Sequence, residues 1–294
     1  MTSGSPWTYL IVNADDYGYY NCVSQGILEA ASHGILTATG IFANSGHFTE
    51  HVGWLRDNAG LDLGVHLNIT DRAPLTINMQ NRLSRWAGRF PGKYTISRAL
   101  LSGKITTEDV RSEWRAQIKR CLDEGLQIRF LNSHEHIHML PPLFPVLQAL
   151  AGEYGISHIR FPTSEPFRNL TTGAIVRDIL IKITEHFNRP HLTNPAVRFL
   201  GMGESGRLGT EYLQQRLPKL KPGHVYELMC HPGYYDANEI NDSRLLNYHD
   251  WKRELDALTN PAVRDMLDQH RIRLIGYRHL HVQAGQFVVR DETE

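Results

Sequence analysis

Short runs of β-type residues alternate with longer segments of helical periodicity along the whole chain. This alternation is typical of βα units around a parallel sheet, because a strand buried on both faces needs helices to cover it. The runs that indicate strands are 9–14, 36–43, 61–68, 128–132, 158–163, 197–202, 225–230 and 272–277. The segments that indicate helices are 21–33, 106–124, 143–154, 172–187, 209–217 and 249–269. Seven or eight such units favour an α/β fold of the TIM-barrel-like (β/α) type, closed or nearly closed, over an open doubly wound sheet.

The length of 294 residues fits one domain of this kind, since α/β barrels of about 250 residues fold as single units. No linker rich in Pro, Gly or Ser divides the chain, so we predict a single domain over residues 1–294. Segment 69–105 follows the third predicted strand and is too long and irregular for a simple βα connection. We expect it to be an insertion that serves as a lid or as part of the substrate site.

Composition and charge exclude several classes of partner. Basic and acidic residues number 31 each, so the formal net charge is zero. This balance gives no support for binding nucleic acid or an anionic membrane, and it favours a small neutral substrate. The three cysteines, Cys22, Cys121 and Cys230, are odd in number and far apart, which argues against a disulfide framework. With no signal-peptide pattern and no apolar run of membrane-spanning length, we expect a cytoplasmic protein.

Polar residues able to do chemistry stand where four of the predicted strands end. In a parallel barrel, the loops after the carboxyl ends of the strands form one rim, and reactive groups come from that rim. The first strand ends in Asp15 and Asp16, and the third carries His66 late in an apolar run. The fourth leads into the run HEHIH, residues 134–138, and the seventh stops at His231. The sequence therefore predicts a cluster of Asp and His at one rim.

Each of these residues also has an ordinary structural explanation. The pair Asp15 and Asp16 suits a turn with a helix N-cap, and a lone His66 in a strand is more often a hydrogen-bonded core residue. His231 precedes a proline that would end its strand. Three histidines at alternate positions are harder to explain, since they would share one side of an extended segment. Taken together, four strand ends supplying Asp and His favour one mononuclear metal site over four coincidences.

The residue types in this cluster suit metal-assisted hydrolysis. Two histidines and one carboxylate bind a divalent ion and leave positions open for water and substrate. Adjacent residues of a regular strand point apart, so we expect Asp15 and Asp16 to divide the roles of ligand and general base. His231, on a distant strand, is the candidate general acid. Zinc, cobalt and manganese suit such ligands, and magnesium suits them less well. The predicted reaction is hydrolysis of an amide or ester.

Motifs for other chemistries are missing or weak. The chain has no G-x-S-x-G turn, no G-x-G-x-x-G after the first strand and no phosphate-loop pattern. The stretch GMGESG at 201–206 follows a strand and could hold an anion, but a plain βα loop explains it better. A metal-dependent hydrolase is therefore the most specific interpretation that the residues themselves support.

Four segments carry a resemblance to a known family. NADDYG, GVHLN, NSHEHIHMLP and MCHPGY, in this order and at these intervals, resemble the YdjC-like (chitooligosaccharide deacetylase) family of carbohydrate deacetylases. The match runs from residue 9 to about residue 280, and the segments are specific in combination. The resemblance implies a (β/α) barrel, often a homodimer, that binds one divalent metal ion. It also implies that the substrate is an N-acetylated amino sugar or short oligosaccharide from which the acetyl group is removed.

The resemblance also implies roles for individual residues. By motif position, the metal ligands are Asp16, His66 and His134. Asp15 stands at the position of the catalytic base, and His231 stands at that of the general acid. Only the first histidine of the HEHIH run is assigned to the metal, because the prolines that follow the run indicate that the chain turns there.

Four further positions receive weaker expectations. Tyr17 stands where the family commonly has Phe, a change that we expect to have no effect. Arg160 ends another strand and is expected either to keep Asp15 ionised or to form a salt bridge at the barrel rim. His138 is expected near the mouth of the site, as a support or a substrate contact. His136 is expected to be structural.

The resemblance leaves the sugar and the exact activity open. Aromatic residues in 69–105 and 234–248 are candidate platforms for sugar rings, with lid packing or a dimer contact as alternatives. These residues are Trp86, Phe90, Tyr94, Tyr234 and Tyr235. Two other functions also remain open: a metal-dependent amidohydrolase or esterase with a non-sugar substrate, and a barrel that binds metal or sugar without turnover.

Overall fold

The computed structural model of the chain describes residues 6–164 and 172–290. The strands are β1 (Thr8–Tyr17), β2 (Ala38–Ile41), β3 (Asp62–Leu67), β4 (Ile128–Ser133), β5 (His158–Ile159), β6 (Arg198–Leu200), β7 (Val225–Cys230), β8 (Ile272–Leu274), β9 (Leu280–Gln283) and β10 (Gln286–Val289). The α-helices are α1 (Asn21–His33), α2 (Phe48–Leu55), α3 (Ile77–Arg82), α4 (Lys93–Leu101), α5 (Thr107–Asp123), α6 (Phe144–Glu153), α7 (Thr172–Asn188), α8 (Thr210–Arg216), α9 (Ser243–Tyr248), α10 (Trp251–Thr259) and α11 (Pro261–Gln269). Short 3-10 helices lie at Ser84–Trp86, His134–Met139, Arg189–His191, Met202–Glu204, Leu217–Lys219 and Tyr277–His279.

Eight strands form one parallel sheet. Its order is β5-β4-β3-β2-β1-β7-β6, and β8 pairs with the first residues of β1. Every predicted strand is present, although the runs 158–163 and 272–277 supply only two and three paired residues. Within the described ranges β5 and β6, at the two ends of the order, form no ladder with each other. The expected α/β class with a parallel sheet is therefore confirmed, in the form of a half-barrel.

The two faces of the sheet carry different cores, because side chains alternate along each strand. Leu10 and Val12 on β1 belong to the main hydrophobic core, which the helices cover. Ile11 lies on the other face and shares a smaller cluster with Phe130 of β4 and Tyr277. The rings of Phe130 and Tyr277 stack with centroids 4.3 Å apart. Since two strands separate β1 from β4, a cluster that includes both indicates that the sheet curls around this interior.

Every predicted helical segment contains helix, but α2, α3, α4 and α9 lie outside the predicted segments. The segment 249–269 forms two helices, α10 and α11, that meet at Asn260. Pro261 occupies the first position of α11, where its missing N–H costs nothing, and the Asn260 side chain accepts a hydrogen bond from Ala262 N. The antiparallel hairpin of β9 and β10 lies outside the predicted βα rhythm.

Segment 69–105 packs against the body of the domain. It contains α3 and α4, and its residues Met79 and Phe90 belong to the main hydrophobic core. The Glu113 carboxylate on α5 accepts a hydrogen bond of 2.9 Å from the backbone N–H of Leu75. These contacts fix the segment beside the carboxyl end of β3.

No helix in the described ranges combines the length and the apolar character needed to cross a bilayer. The side chains of Cys22, Cys121 and Cys230 are buried free thiols. Burial raises the pKa of the Cys121 thiol to about 12, so this side chain stays protonated and acts as a small apolar core residue.

Candidate active site at the carboxyl rim

The two carboxylates that end β1 face the same space. The pairing of β1 with β2 shifts register between Ala14 and Tyr17, and Asp16 has a left-handed φ of 72°. An irregularity of this kind re-aims side chains at the end of a strand. As a result, His66 Nδ1 lies 3.9 Å from Asp15 Oδ1, and His66 Nε2 lies 3.3 Å from Asp16 Oδ1. The expectation that the two carboxylates point apart is wrong at this bulge, and they differ instead in their partners.

Asp16, His66 and His134 form a group that could hold a metal ion, with one ligand atom from each within 4.8 Å of the others. Asp16 Oδ1 lies 3.0 Å from His134 Nδ1. Asn132 Nδ2 donates to Asp15 Oδ1 at 3.0 Å, so its amide oxygen is the atom 2.8 Å from His66 Nδ1. His66 Nδ1 must therefore carry the proton, because an amide oxygen can only accept.

The proton on His66 Nδ1 leaves a lone pair on His66 Nε2. That nitrogen is buried and makes no well-formed hydrogen bond. A buried imidazole lone pair beside a carboxylate and a second imidazole fits a divalent cation, and the hydrogen bond to Asn132 fixes the tautomer that ligation requires. The donor set, two nitrogens and one oxygen, suits zinc, cobalt or manganese better than magnesium.

A proton shared between His134 and Asp16 competes with such an ion. Burial disfavours charge on both groups, but their pairing outweighs it: His134 holds the pKa of Asp16 well below its usual value. Against the same burial, Asp16 raises the pKa of His134 to about 9. A metal ion at this group would have to displace the proton on His134 Nδ1, so its affinity would rise with pH up to that range.

Asp15 lies among hydrogen-bond donors. Arg160 Nη1 donates to Asp15 Oδ2 at 2.5 Å, and Arg160 Nε donates to Glu227 Oε1 at 2.6 Å. Although burial opposes ionisation, the Arg160 guanidinium lowers the pKa of Asp15 to about 2. Asp15 is therefore a carboxylate throughout the neutral range. Arg160 follows β5 at one edge of the sheet and reaches β1 and β7, which again requires a curled sheet.

Gly40 on β2 makes room for this arrangement. A Cβ atom at this position would lie 2.9 Å from Asn132 Oδ1 and 3.1 Å from His66 Cβ. Contacts this short would push His66 and Asn132 away from β2. The absence of a side chain at residue 40 therefore preserves the orientation of the His66 ring.

The HEHIH run does not stay extended. Residues His134–Met139 form a 3-10 segment in which Glu135 and His136 both have a left-handed φ of 53°. The three imidazoles therefore diverge, and only His134 reaches Asp16. This agrees with the expectation that the chain turns before the prolines.

His138 and His136 lie inside the protein near Arg160. His138 Nδ1 lies 2.5 Å from Ser133 Oγ and His138 Nε2 lies 3.0 Å from the Arg160 carbonyl oxygen. Both ring nitrogens are thus used, and His138 braces the backbone beside Arg160 rather than the mouth of the site. Burial lowers the pKa of His138 to about 3 and that of His136 well below its usual value, so both rings stay neutral.

His231 directly follows β7, the neighbour of β1 in the sheet, and so lies beside the strand end that carries the two aspartates. Its backbone N–H donates to the Glu254 carboxyl group, and its Nδ1 lies 3.9 Å from Glu254 Oε1. Burial lowers the pKa of His231, while the charges of Asp16 and Asp15 act to raise it. Burial also raises the pKa of Glu254 to about 8, although this carboxyl group accepts a further hydrogen bond from Leu208 N.

An aromatic wall packs against the metal-ligand candidates. The Phe42 ring centroid lies 5.1 Å from that of His66 and 4.9 Å from that of His134. Tyr19 stacks on Phe42 with centroids 4.9 Å apart. This wall restricts the rotation of both imidazoles and lowers the local dielectric.

Several residues of the site are absent from the sequence-based prediction. Asn132 and Glu227 lie within predicted strands, and Asn132 could have been found as a polar residue beside the HEHIH run. Phe42 ends a strand that carries no polar signal, and Glu254 lies on a helix where glutamate is usually exposed. Tyr234, a candidate sugar contact, hydrogen-bonds Glu29 of α1 through its hydroxyl group.

Several known proteins are similar to this chain in sequence or in structure. A family model described as YdjC-like protein matches residues 9–269. A carbohydrate deacetylase of Listeria monocytogenes serotype 4a is 30% identical over 273 residues, covering 92% of this chain and 99% of the relative. A carbohydrate deacetylase of Clostridium beijerinckii is 26% identical over 274 residues, with 92% and 99% coverage. A crystal structure of an Enterococcus faecalis V583 protein named for cellobiose-phosphate cleavage is 27% identical, with a TM-score of 0.71 and coverage of 92% and 98%.

Proposed function

Because this chain belongs to the YdjC-like protein family, we propose that it is a metal-dependent hydrolase that removes the N-acetyl group from an N-acetylated amino sugar or short oligosaccharide. Family membership agrees with the resemblance carried by the four sequence segments. Relatives named carbohydrate deacetylase support the sugar substrate. The single observation that carries the proposal is the buried group of Asp16, His66 and His134 beside an ionised Asp15.

Three residues would hold the ion: Asp16 through a carboxylate oxygen, His66 through Nε2 and His134 through Nδ1. When bound, a divalent ion supplies Lewis acidity that polarises the acetamide carbonyl and makes water a better nucleophile at neutral pH. Asp15 takes the proton from the attacking water, since Arg160 keeps this carboxylate ionised and oriented.

His231 donates a proton to the amino nitrogen of the sugar as the C–N bond breaks. It directly follows β7, which pairs with β1 so that Ala14 and Cys230 are register partners, and the acid therefore lies beside the strand end that carries the base. Glu254 holds the His231 backbone in place through its carboxyl group. Overall, one water and one acetamide give acetate and a free amine.

Chelation tests this proposal directly. Acetate release from N-acetylglucosamine oligomers should vanish when the protein is treated with a chelator and dialysed, and it should return with zinc, cobalt, manganese or magnesium. Acetate can be measured by a coupled assay, with the untreated protein as the control. Activity that survives complete removal of metal would exclude the proposed mechanism, and activity only on amides or esters without a sugar would exclude the substrate class.

Asn132→Leu should weaken metal binding by about 10–100-fold, the usual cost of removing a hydrogen bond to a ligating histidine. The substitution removes the acceptor that fixes His66 Nδ1. Calorimetric titration of the metal-free protein with zinc would measure the change. Gln117→Leu is the matched control, because Gln117 is another buried amide but bonds Asn68 and Glu113 instead. Equal affinity in the two variants would contradict the role of Asn132.

A further inference from the structure

An ion pair ties the turn that carries His134 to segment 69–105. Lys93, the first residue of α4, places its Nζ 2.8 Å from Glu135 Oε1. Glu135 directly follows His134 and has a left-handed φ of 53°. The start of α4 is therefore held at the rim, beside the candidate metal site.

Tyr94 is the exposed aromatic residue at this position. Its side chain is 77% exposed, and the Lys93 Nζ atom lies 5.4 Å from the centre of its ring. Together with the ion pair, this places the ring within about 8 Å of the Glu135 carboxylate. A tyrosine left this open presents a rigid apolar face to solvent.

Three of the four other candidate platforms in these two segments are less available, and the fourth, Tyr235 of segment 234–248, is less exposed than Tyr94, at 54%. Phe90 is only 6% exposed and packs in the main core. Trp86 packs against the same core and is covered on its free side by the Arg85 guanidinium, 4.7 Å from the ring. The Tyr234 hydroxyl group is bound to Glu29.

A second partly exposed tyrosine, Tyr248, is linked to His231 through the ring of His249. The Tyr248 ring lies 4.8 Å from the His249 ring, which lies 5.1 Å from the His231 ring. Tyr248 is 41% exposed. Against the effect of burial, Glu135 raises the pKa of Lys93, and Tyr248 is near enough to add to this rise.

We propose that Tyr94 is the stacking platform for the sugar ring next to the N-acetylated ring. This inference rests on the function proposed above and makes the enzyme selective for oligosaccharides over the monosaccharide. The C–H face of a pyranose covers the exposed ring, while its hydroxyl groups reach the charged atoms of Lys93 and Glu135. A monosaccharide bound with its acetamide at the metal site would not extend to Tyr94.

Kinetics with substrates of different length test this selectivity. Tyr94→Ala should raise KM for the N-acetylglucosamine trimer by about tenfold, with kcat little changed and the monomer unaffected. Tyr94→Phe should behave as wild type, because it keeps the ring. Leu101→Ala, at an 86% exposed position at the other end of α4, is the matched surface control. It should leave KM and kcat unchanged for both the trimer and the monomer.

Two results would overturn the inference while leaving the deacetylase function intact. One is an unchanged KM for the trimer in Tyr94→Ala. The other is a rise in KM that is equally large for the monomer and the trimer. If the wild-type protein hydrolyses neither sugar, the proposed function fails separately. In that case the binding of the trimer to wild type and to Tyr94→Ala is measured by calorimetry. Loss of binding in Tyr94→Ala supports the stacking role of Tyr94, and equal or absent binding in the two proteins excludes it.

Discussion

Asp15→Asn should lower kcat for deacetylation by about 10²–10⁴-fold, the usual contribution of a general base, while the metal content stays at the wild-type level. The Asp15 carboxylate bonds Arg160 and Asn132, and its contact with the candidate ligand His66, 3.9 Å from Oδ1 to Nδ1, is too long for a hydrogen bond. Asparagine keeps the shape and an oxygen that accepts from Arg160, but it cannot take a proton from water. Turnover is measured by acetate release, and metal content by elemental analysis after dialysis.

Asp16→Asn is the contrasting variant on the adjacent residue. It should lose the metal, because it removes the only carboxylate in the group of possible ligands. It should also lower the pKa of His134 from about 9, since Asp16 is the largest of the charges that raise it against burial. A titration of the metal-free proteins followed by NMR would detect this change. An equal loss of metal in the two variants would refute the division of roles between the aspartates.

The fold could be predicted largely because parallel strands leave a strong signal. Runs such as YLIVNA and VYELMC are apolar at most positions on both faces, as is usual for strands covered by helices, and β1 and β7 lie where these runs occur. The division of segment 249–269 is less visible, because a proline at the first position of a helix leaves the helical periodicity intact. Local patterns therefore locate elements better than they locate their boundaries.

The candidate site could be predicted only in part, because its supports depend on strand register. His66 and Asn132 are direct partners in the pairing of β3 with β4, and this adjacency makes their hydrogen bond possible. Register between strands more than 60 residues apart along the chain has no local signature. The left-handed turn at Glu135 and His136 is similarly hidden, since neither residue is the glycine or asparagine that usually marks such a backbone.

Arg160→Met should destabilise the protein by about 3–5 kcal/mol, because it leaves Asp15 and Glu227 as buried carboxylates without a cation. Urea unfolding of the metal-free protein would measure this loss. Arg115→Met is the matched control: Arg115 forms a two-pronged pair with Glu153 at the surface, where such pairs contribute at most about 1 kcal/mol. The double variant Arg160→Met with Glu227→Gln should recover part of the lost stability, since it removes one of the two buried carboxylates that have no cation.

The pH dependence of unfolding separates this charge effect from simple loss of packing. The pKa of Asp15 is about 2 in the folded protein, below its usual 3.8, so the pairing stabilises the fold above pH 3.8. This stabilisation, about 2 kcal/mol, disappears as the pH falls through the folded-state pKa. In Arg160→Met, burial raises the pKa of Asp15 above its usual value, so stability falls as the pH rises from acid to neutral. The difference in unfolding free energy between wild type and variant should therefore grow with pH, and a constant difference would indicate packing alone.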